Sequence, residues 1–387
     1  MTSPIVKISP WANTFDPFFV PDLRQRIGLT RWSDEVASDW TYGTAQQTLR
    51  PLMTHWANGY DWKKASQRLN ALPHFRAEIN GYVIHFLHFK GKSTAPQPLL
   101  LMNGWPSSFV EYEKLAPMLA GAMAYGGLAD LDFDVVIPAL PGFGYSERPT
   151  KPNQVQAVEL FHRLMTDGLN YQSYIAAGTD IGAGVATRLA LAYPQSVRGI
   201  HISAVVDPPL NDMSPILTAE EAAYQRNVKK WSTDEGAYLH LQATRPQTAA
   251  YALNDSPVGL ASWIVEKFRY WSDAGSELFD VFPVDMLIDN LNIYWATQTI
   301  GSSMRYYFES SHFRVPLKPG DHVSVPTAIC MWPRDLVIAP QAWARRFYNV
   351  QQYSVQSRGG HFPAWEQPEL YATDLRAFLF RLRSLSQ

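Results

Sequence analysis

One aspartate stands where a sheet protein can present a reactive side chain. Asp180 lies in the stretch Tyr174 to Gly182, where a short apolar run ends in Gly-Thr-Asp-Ile-Gly and a helical pattern begins at Ala183. This order predicts a strand, a tight turn and a helix. Small residues flanking such a turn let the chain bend sharply, so that the side chain at its tip is lifted above the sheet. Because an Asp after a strand is more commonly a helix cap, a nucleophilic role for Asp180 depends on its companions.

Two later residues are candidates to act with Asp180. Asp335 follows the apolar run Thr327 to Trp332, and His361 follows the next predicted strand and the pair Gly359-Gly360. Taken singly, an Asp in this position is usually a turn residue, and a lone His is usually structural. Open α/β sheets, however, collect their functional groups at the carboxyl ends of the strands. Nucleophile, acid and histidine also occur in the chain order of the α/β-hydrolase triad, so the sequence predicts that the three side chains meet.

A carboxylate nucleophile implies a particular chemistry. Attack on saturated carbon forms an alkyl ester on the enzyme, so the substrate must be an epoxide or carry a carbon–halogen bond. His361, oriented by Asp335, would then activate a water against the ester of Asp180. The backbone N–H groups of Trp105 and Ile181 are the predicted oxyanion donors, and one such donor is worth roughly 2.7–4 kcal/mol.

Epoxides and halides need different partners in the site. The oxygen of an opening epoxide needs an acidic hydroxyl, whereas a halide is commonly held by weakly polar N–H groups, such as that of a tryptophan beside the nucleophile. The residue after Asp180 is Ile181, and the predicted lid carries Tyr238 and Tyr307, so an epoxide is favoured. The adjacent Tyr306 should project about 100° away around its helix and serves as a control. A haloalkane dehalogenase and a non-catalytic ligand-binding protein of this fold remain alternatives.

The elements that must position these residues alternate between buried strands and helices. This alternation predicts an α/β fold with a mostly parallel central sheet and helices on both faces. Residues 1–94 form an N-terminal region of helices followed by strands, and residues 95–209 and 320–387 form the two parts of the sheet core. Residues 210–319 between them are mostly helical, and we interpret them as a lid over the site.

Finer predictions concern individual elements. Asn80-Gly81, between two alternating runs, predicts a β-hairpin. Thr44 is a predicted helix cap, and helices are predicted over 155–169 and, as one continuous helix, over 287–308.

The composition excludes several classes of function. The chain has 387 residues, of which 46% are hydrophobic and 18% charged, as expected of a globular protein. A formal net charge of -2 provides no long-range field for nucleic acid or an anionic membrane. The chain start lacks the pattern of a secretory signal, and no apolar run reaches the roughly 18 residues of a membrane span. We therefore expect a cytoplasmic protein, in which the single cysteine, Cys330, excludes an internal disulfide.

Long motifs reveal a family resemblance. They include Ala-Leu-Asn-Asp-Ser-Pro-Val-Gly-Leu at 252–260 and Arg-Gly-Gly-His-Phe at 358–362, and the remainder lie at 30–36, 40–44, 68–73, 178–182 and 302–309. The chain thereby resembles the microsomal-type epoxide hydrolases, a family with soluble fungal and bacterial members. The resemblance implies an α/β-hydrolase fold with an additional N-terminal region. It also implies roles for five residues: Asp180 as nucleophile, Asp335 and His361 as the charge pair, and Tyr238 and Tyr307 as epoxide-binding donors.

The expected partners follow from the chemistry of Asp180 and from the composition, in which 13% of the residues are aromatic. They are a small apolar or aromatic epoxide and water, with no cofactor, no metal and no nucleic acid, and a homodimer is possible. Two positions depart from the family pattern, because the usual His-Gly-Trp-Pro begins here with Asn103 and the usual Trp after the nucleophile is Ile181. The oxyanion donor is a backbone N–H further along the loop, so we expect Asn103 to change the loop's hydrogen bonds without abolishing the reaction.

Overall fold

A nine-stranded sheet runs through the protein. The computed structural model describes residues 6–13, 19–125, 131–151, 157–211, 214–275 and 278–385. The strands are Lys7–Pro10 (β1), His74–Ile79 (β2), Tyr82–Phe89 (β3), Gln97–Met102 (β4), Phe133–Pro138 (β5), Tyr174–Gly178 (β6), Val197–Ile202 (β7), Val323–Met331 (β8) and Tyr348–Val355 (β9).

The sheet is mostly parallel, as predicted. Its strand order is β1-β2-β3-β5-β4-β6-β7-β8-β9. The pairs β1–β2, β2–β3 and β3–β5 are antiparallel. The pairs β5–β4, β4–β6, β6–β7, β7–β8 and β8–β9 are parallel. β5 and β6 are buried along their whole lengths because helices cover both faces of the parallel part. The parallel strands therefore end at one common edge, where the candidate site lies.

The helices form three groups along the chain. The first group belongs to the N-terminal region and the sheet core, and its members are Phe19–Gly28 (α1), Gln46–Asn58 (α2), Trp62–Asn70 (α3), Leu115–Ala120 (α4), Ala157–Arg163 (α5) and Asp180–Ala192 (α6). The second group begins after β7 with Ala219–Asp234 (α7), Ala237–Thr244 (α8), Pro246–Leu253 (α9), Pro257–Tyr270 (α10), Leu278–Val281 (α11), Val284–Thr297 (α12) and Ile300–His312 (α13). After β8 the chain adds Gln341–Arg345 (α14), Pro363–Glu366 (α15) and Pro368–Leu385 (α16).

The prediction of one helix over 287–308 was wrong. The chain forms α12 and α13 instead, and Gln298 between them has a left-handed backbone with φ of +54°. Such a residue ends a helix, but glycine or asparagine is usual there, so a glutamine gives no sequence signal. The break turns α13 back across α8 and α9, which brings Tyr307 and Tyr238 together.

Two other local predictions have opposite outcomes. The hairpin is confirmed, because β2 and β3 pair antiparallel and Asn80 and Gly81 both have positive φ. The cap prediction for Thr44 was wrong: α2 begins after Ala45 without a side-chain cap, and the Thr44 hydroxyl donates to the Ser262 carbonyl in α10 at 2.8 Å. This longer-range bond joins the N-terminal region to the second helix group.

Two predictions concern the remaining parts of the chain. The first residues of the predicted helix over 155–169 lie outside the described residues, and from Ala157 onward the chain is helical through Arg163 and then forms a π-helical turn over Leu164–Gly168. Within the ranges described, every helix is too short or too polar to cross a membrane.

Candidate active site

Asp180 occupies a sharp turn between β6 and α6. It is the first residue of α6, and its φ of +48° is rare for a residue with a side chain. The turn requires glycine on both sides: a Cβ at Gly182 would lie 2.2 Å from the Met102 carbonyl oxygen, and one at Gly178 would lie 2.4 Å from the carbonyl carbon of Gly182. The close contacts of α6 with β4 and β6 therefore explain why glycines flank Asp180, and these contacts hold Asp180 at the edge of the sheet.

The loop after β4 holds one oxygen of this carboxylate. The Trp105 backbone N–H donates to Asp180 Oδ1 at 2.9 Å. A Cβ at Gly104 would lie 2.0 Å from the same oxygen, so only glycine permits this approach. The second predicted donor, the N–H of Ile181, lies in the first turn of α6, where backbone N–H groups lack partners within the helix.

Asn103 supports the shape of this loop. Its side-chain amide is buried and donates to the Gly104 carbonyl at 2.9 Å and to the Ser107 hydroxyl oxygen at 3.3 Å. The Ser107 hydroxyl in turn donates to the Gly104 carbonyl. These bonds lie inside the loop, and the Trp105 N–H stays directed at Asp180.

His361 and Asp335 form a hydrogen-bonded pair beside Asp180. His361 Nδ1 donates to Asp335 Oδ1 at 2.7 Å, and the Leu336 N–H donates to the same oxygen at 2.7 Å. His361 Nε2 faces Asp180 Oδ2 at 3.8 Å, which is beyond hydrogen-bond distance. The three predicted residues thus lie together in the order Asp335, His361, Asp180, with Nε2 turned toward the carboxylate at the turn.

Charge around His361 outweighs its burial. Burial lowers the pKa of this imidazole, but the charges of Asp335, Asp180 and Glu111 raise it to about 9. In this state His361 is an imidazolium between two carboxylates at neutral pH. Its proton affinity depends on how many of those negative charges remain.

Glu111 is a charged neighbour that the sequence reasoning missed. It lies in the 3₁₀ turn Phe109–Tyr112, is only 1% exposed, and has one carboxyl oxygen without a hydrogen-bond partner among the described residues. Burial raises the pKa of Glu111 to about 7. An acidic residue in a loop is normally solvated, and the available signal was the apolar residues beside it, Phe109, Val110 and Tyr112.

Tyr238 and Tyr307 reach the site from α8 and α13. Both are buried, and their rings meet edge to face at 6.1 Å. Burial raises the pKa of both phenols, and the charge of Asp180 raises it further, so both remain protonated donors. The Tyr307 hydroxyl has no well-formed hydrogen bond within the described parts of the chain. Trp105 stacks on Tyr238 at 5.4 Å and 7°, so the Tyr238 ring packs against the residue whose backbone N–H binds Asp180.

A cleft opens beside these residues. It has a volume of about 900 Å³, and Asp180, Ile181 and Tyr307 form part of its lining. Tyr306 also lines it and packs edge to face against Phe143, so it is closer to the site than its helical position suggested. Apolar side chains of α6 and of the segment after β7 form further walls, among them Val185, Leu191, Val205 and Val206.

Helix α12 supports the loop from behind. Asn290 donates to the Pro106 carbonyl at 2.8 Å, and the Tyr294 hydroxyl donates to the Ser107 carbonyl at 2.9 Å. The opposite side of α12 is held by the N-terminal region: the Trp56 indole N–H donates to Asn292 at 2.7 Å, and the Tyr60 hydroxyl donates to Asp289 at 2.5 Å.

One cluster of metal-type ligands occurs in the described residues, and it contains none of the candidate catalytic residues. It comprises His201, Cys330 and Asp374. The Asp374 carboxylate already accepts hydrogen bonds from His201, Ser354 and Gln356, at 2.8, 2.6 and 3.1 Å. Its oxygens are thus engaged in a buried network, and the chemistry of Asp180 needs no ligand from it.

A carboxylate at the tip of a strand–helix turn, facing a histidine that an aspartate orients, makes the chain an α/β hydrolase. Comparison with known proteins gives the same class and narrows it. The family model described as "Epoxide hydrolase N terminus" matches residues 8–112, and the model described as "alpha/beta hydrolase fold" matches residues 97–263.

Individual relatives match over most of their length. A putative epoxide hydrolase of Stigmatella aurantiaca is 38% identical, with 97% of this chain and 86% of that protein covered. Epoxide hydrolase 1 of Oryctolagus cuniculus is 34% identical, with 93% and 86% covered. The crystal structure of juvenile hormone epoxide hydrolase from Bombyx mori superposes with a TM-score of 0.87 at 30% identity, covering 99% of this chain and 96% of that one. The structure of the Aspergillus niger epoxide hydrolase gives 0.84 at 26% identity, with 97% of each chain covered. The chain belongs to the epoxide hydrolase family.

Proposed function

We propose that this enzyme hydrolyses an epoxide to a vicinal diol through an ester formed on Asp180. The observation that carries the proposal is the position of His361, whose Nδ1 is bonded to Asp335 while Nε2 faces Asp180 Oδ2 at 3.8 Å. A histidine held in this way can deliver water to an ester of Asp180. The relatives named as epoxide hydrolases support the same reaction.

In the first step Asp180 Oδ2 attacks one carbon of the epoxide ring. A bond forms between that oxygen and the carbon, the carbon–oxygen bond of the ring breaks, and its electron pair moves to the epoxide oxygen. Tyr238 and Tyr307 would donate hydrogen bonds to this oxygen, because burial keeps both phenols protonated. Donors placed where charge develops stabilise the transition state more than the ground state.

In the second step water hydrolyses the ester. Esterification removes the negative charge of Asp180, which is one of the charges that raise the pKa of His361 to about 9. The pKa of His361 therefore falls once the ester forms, so the imidazolium releases its proton to solvent and the neutral imidazole can take a proton from water. The water oxygen bonds to the ester carbonyl carbon, the bond from that carbon to the diol oxygen breaks, and the diol oxygen takes the proton from His361. The Trp105 N–H donates to Oδ1 of the free carboxylate, and it would donate to the oxyanion that forms on the same oxygen.

The proposed substrate is a small apolar or aromatic epoxide. Support comes from the apolar side chains in part of the 900 Å³ cleft, which also carries charged residues such as Glu159, Arg188 and Arg314, and from the aromatic residues Trp105, Tyr238 and Tyr307. A cytoplasmic location, a possible homodimer and the lid limits of 210–319 remain predictions from the sequence.

Single turnover in oxygen-18 water tests the mechanism. The first diol should contain no heavy oxygen, since one of its hydroxyl oxygens comes from the epoxide and the other from Asp180, while the new label should appear in the peptide that contains Asp180. Label in the first diol would mean that water attacks the epoxide directly, and the ester would then be wrong.

Paired substrates test the choice of leaving group. Styrene oxide should give a diol, and a bromoalkane of similar size should release no bromide. Bromide release without diol formation would identify a haloalkane dehalogenase. Binding of the epoxide without turnover would identify a non-catalytic member of the fold.

A further inference from the structure

A lysine is buried behind the ring of Tyr238. Lys267 lies in α10 and is 5% exposed. Its ammonium nitrogen lies 5.1 Å from the centre of the Tyr238 ring, 5.3 Å from that of Trp263 and 5.6 Å from that of Trp271. Lysines are rarely buried unless they are paired, so this arrangement requires an explanation.

Two carboxylates compensate the charge of Lys267. Lys267 forms an ion pair with Glu266, whose side chain is 25% exposed, against 6% for that of Lys267. Glu235, at the end of α7, also interacts with the charge of Lys267. Water screens the more exposed carboxylate of Glu266 more strongly than it screens the buried ammonium. The carboxylates therefore offset part of the charge of Lys267, whose ammonium itself lies 5.1 to 5.6 Å from the three ring centres.

We propose that Lys267 is a positioning residue that acts through Tyr238 and speeds the opening of the epoxide. The inference rests on the proposed function, in which Tyr238 donates to the epoxide oxygen. As the ring bond breaks, its electron pair moves to that oxygen and the phenol proton shifts toward it, which leaves negative charge on the Tyr238 oxygen and ring. A cation close to an aromatic ring attracts that ring, and the attraction grows as the ring becomes more negative.

The effect is specific to the first step. The ester of Asp180 forms while charge develops on Tyr238, whereas the ester is hydrolysed by water that His361 activates. Removal of the ammonium should therefore slow ester formation and leave ester hydrolysis unchanged. Loss of packing alone would disturb both steps, because Trp271, which also contacts Lys267, packs edge to face on His361 at 5.1 Å.

The test measures the two steps separately. Rapid chemical quench followed by mass spectrometry of the peptide that contains Asp180 gives the rates of ester formation and decay with styrene oxide. Lys267→Met removes the charge and keeps most of the side-chain volume, Lys267→Gln keeps a donor for Glu266, and Lys267→Arg keeps the charge. Lys229→Met is the matched control, because Lys229 is exposed on α7. Each change is made in the native chain and in Tyr238→Phe, which keeps the ring and removes the hydroxyl.

The expected pattern is specific. Lys267→Met and Lys267→Gln slow ester formation about tenfold in the native chain and less than twofold in Tyr238→Phe. Lys267→Arg stays within about threefold of the native rate, Lys229→Met changes nothing, and ester decay is constant throughout. An equal loss in both backgrounds, or no loss in either, would overturn the role of Lys267 and leave the proposed function intact. Absence of any ester in the native enzyme would instead overturn the proposed function, and this inference with it.

Discussion

The charge of Asp180 should control the protonation of His361. Asp180→Asn removes that charge while keeping an acceptor oxygen for the Trp105 N–H, so the local shape is retained. Two unit charges 3.8 Å apart, the distance from Asp180 Oδ2 to His361 Nε2, interact by ~2–4 kcal/mol at an effective dielectric constant of ~20–40. At 1.36 kcal/mol per unit, the pKa of His361 should fall by ~1.5–3 units from its value of about 9.

The assay is a histidine NMR titration. Protein labelled with carbon-13 at the Cε1 position of histidine is titrated between pH 5 and 10, and the variant His361→Gln assigns the signal. Asp255→Asn is the control, because Asp255 is an exposed residue that pairs with Arg26. The control should leave the His361 pKa unchanged within a few tenths of a unit.

The result also bears on the second chemical step. Asparagine at position 180 imitates the loss of charge that accompanies ester formation, so the pKa in this variant approximates that of the intermediate. A value near 6 to 7.5 would leave His361 able to accept a proton at neutral pH. A pKa that stays near 9 in Asp180→Asn would refute the argument, since His361 would then remain protonated when a base is needed.

Two further predictions concern the tyrosines and the turn. Tyr238→Phe and Tyr307→Phe should each slow ester formation by roughly 10²-fold in quench experiments, because each removes one donor to the epoxide oxygen. Tyr306→Phe should change the rate little, and if it proved the most damaging of the three, the donor assignment would be wrong. Gly182→Ala should lower the free energy of urea unfolding by about 3 kcal/mol or more, because its Cβ would lie 2.2 Å from a backbone oxygen of β4. Gly184→Ala, on the same helix with nothing within 4 Å of the added Cβ, should be neutral or stabilise by up to ~1 kcal/mol; equal losses in the two variants would contradict the steric argument.

The sequence predicted local structure correctly at positions where the geometry permits only one residue type. The glycines around Asp180 were informative because the contact between β6, α6 and β4 leaves no space for a side chain there. The approach of Asp335 and His361 followed from topology, since parallel strands end at one edge. The positions of these residues follow from glycine spacing and strand order, both of which can be read from the sequence.

The sequence predictions were wrong or missing for residues whose conformation or burial is determined by contacts with residues distant in the chain. Thr44 is of a residue type that commonly caps helices, but its hydroxyl donates to the Ser262 carbonyl in α10 instead. Gln298 takes a left-handed backbone that its residue type does not suggest. The burial of Glu111 and Lys267 depends on loops and helices that assemble around them from elsewhere in the chain. A charged residue is usually on the surface, so the residue type at these two positions did not indicate that they are buried.

Helix α12 has a consequence for anyone who wants a smaller catalyst from this chain. Its Asp289 is buried against Tyr60 and Arg68, so deleting the residues through Asn70 would strand a carboxylate in the interior. Displacement of α12 would break the hydrogen bond from Asn290 to the Pro106 carbonyl. The adjacent Trp105 N–H could then move away from Asp180 Oδ1. Truncation of the N-terminal region should thus lower turnover, even though the described residues of that region do not line the cleft beside Asp180.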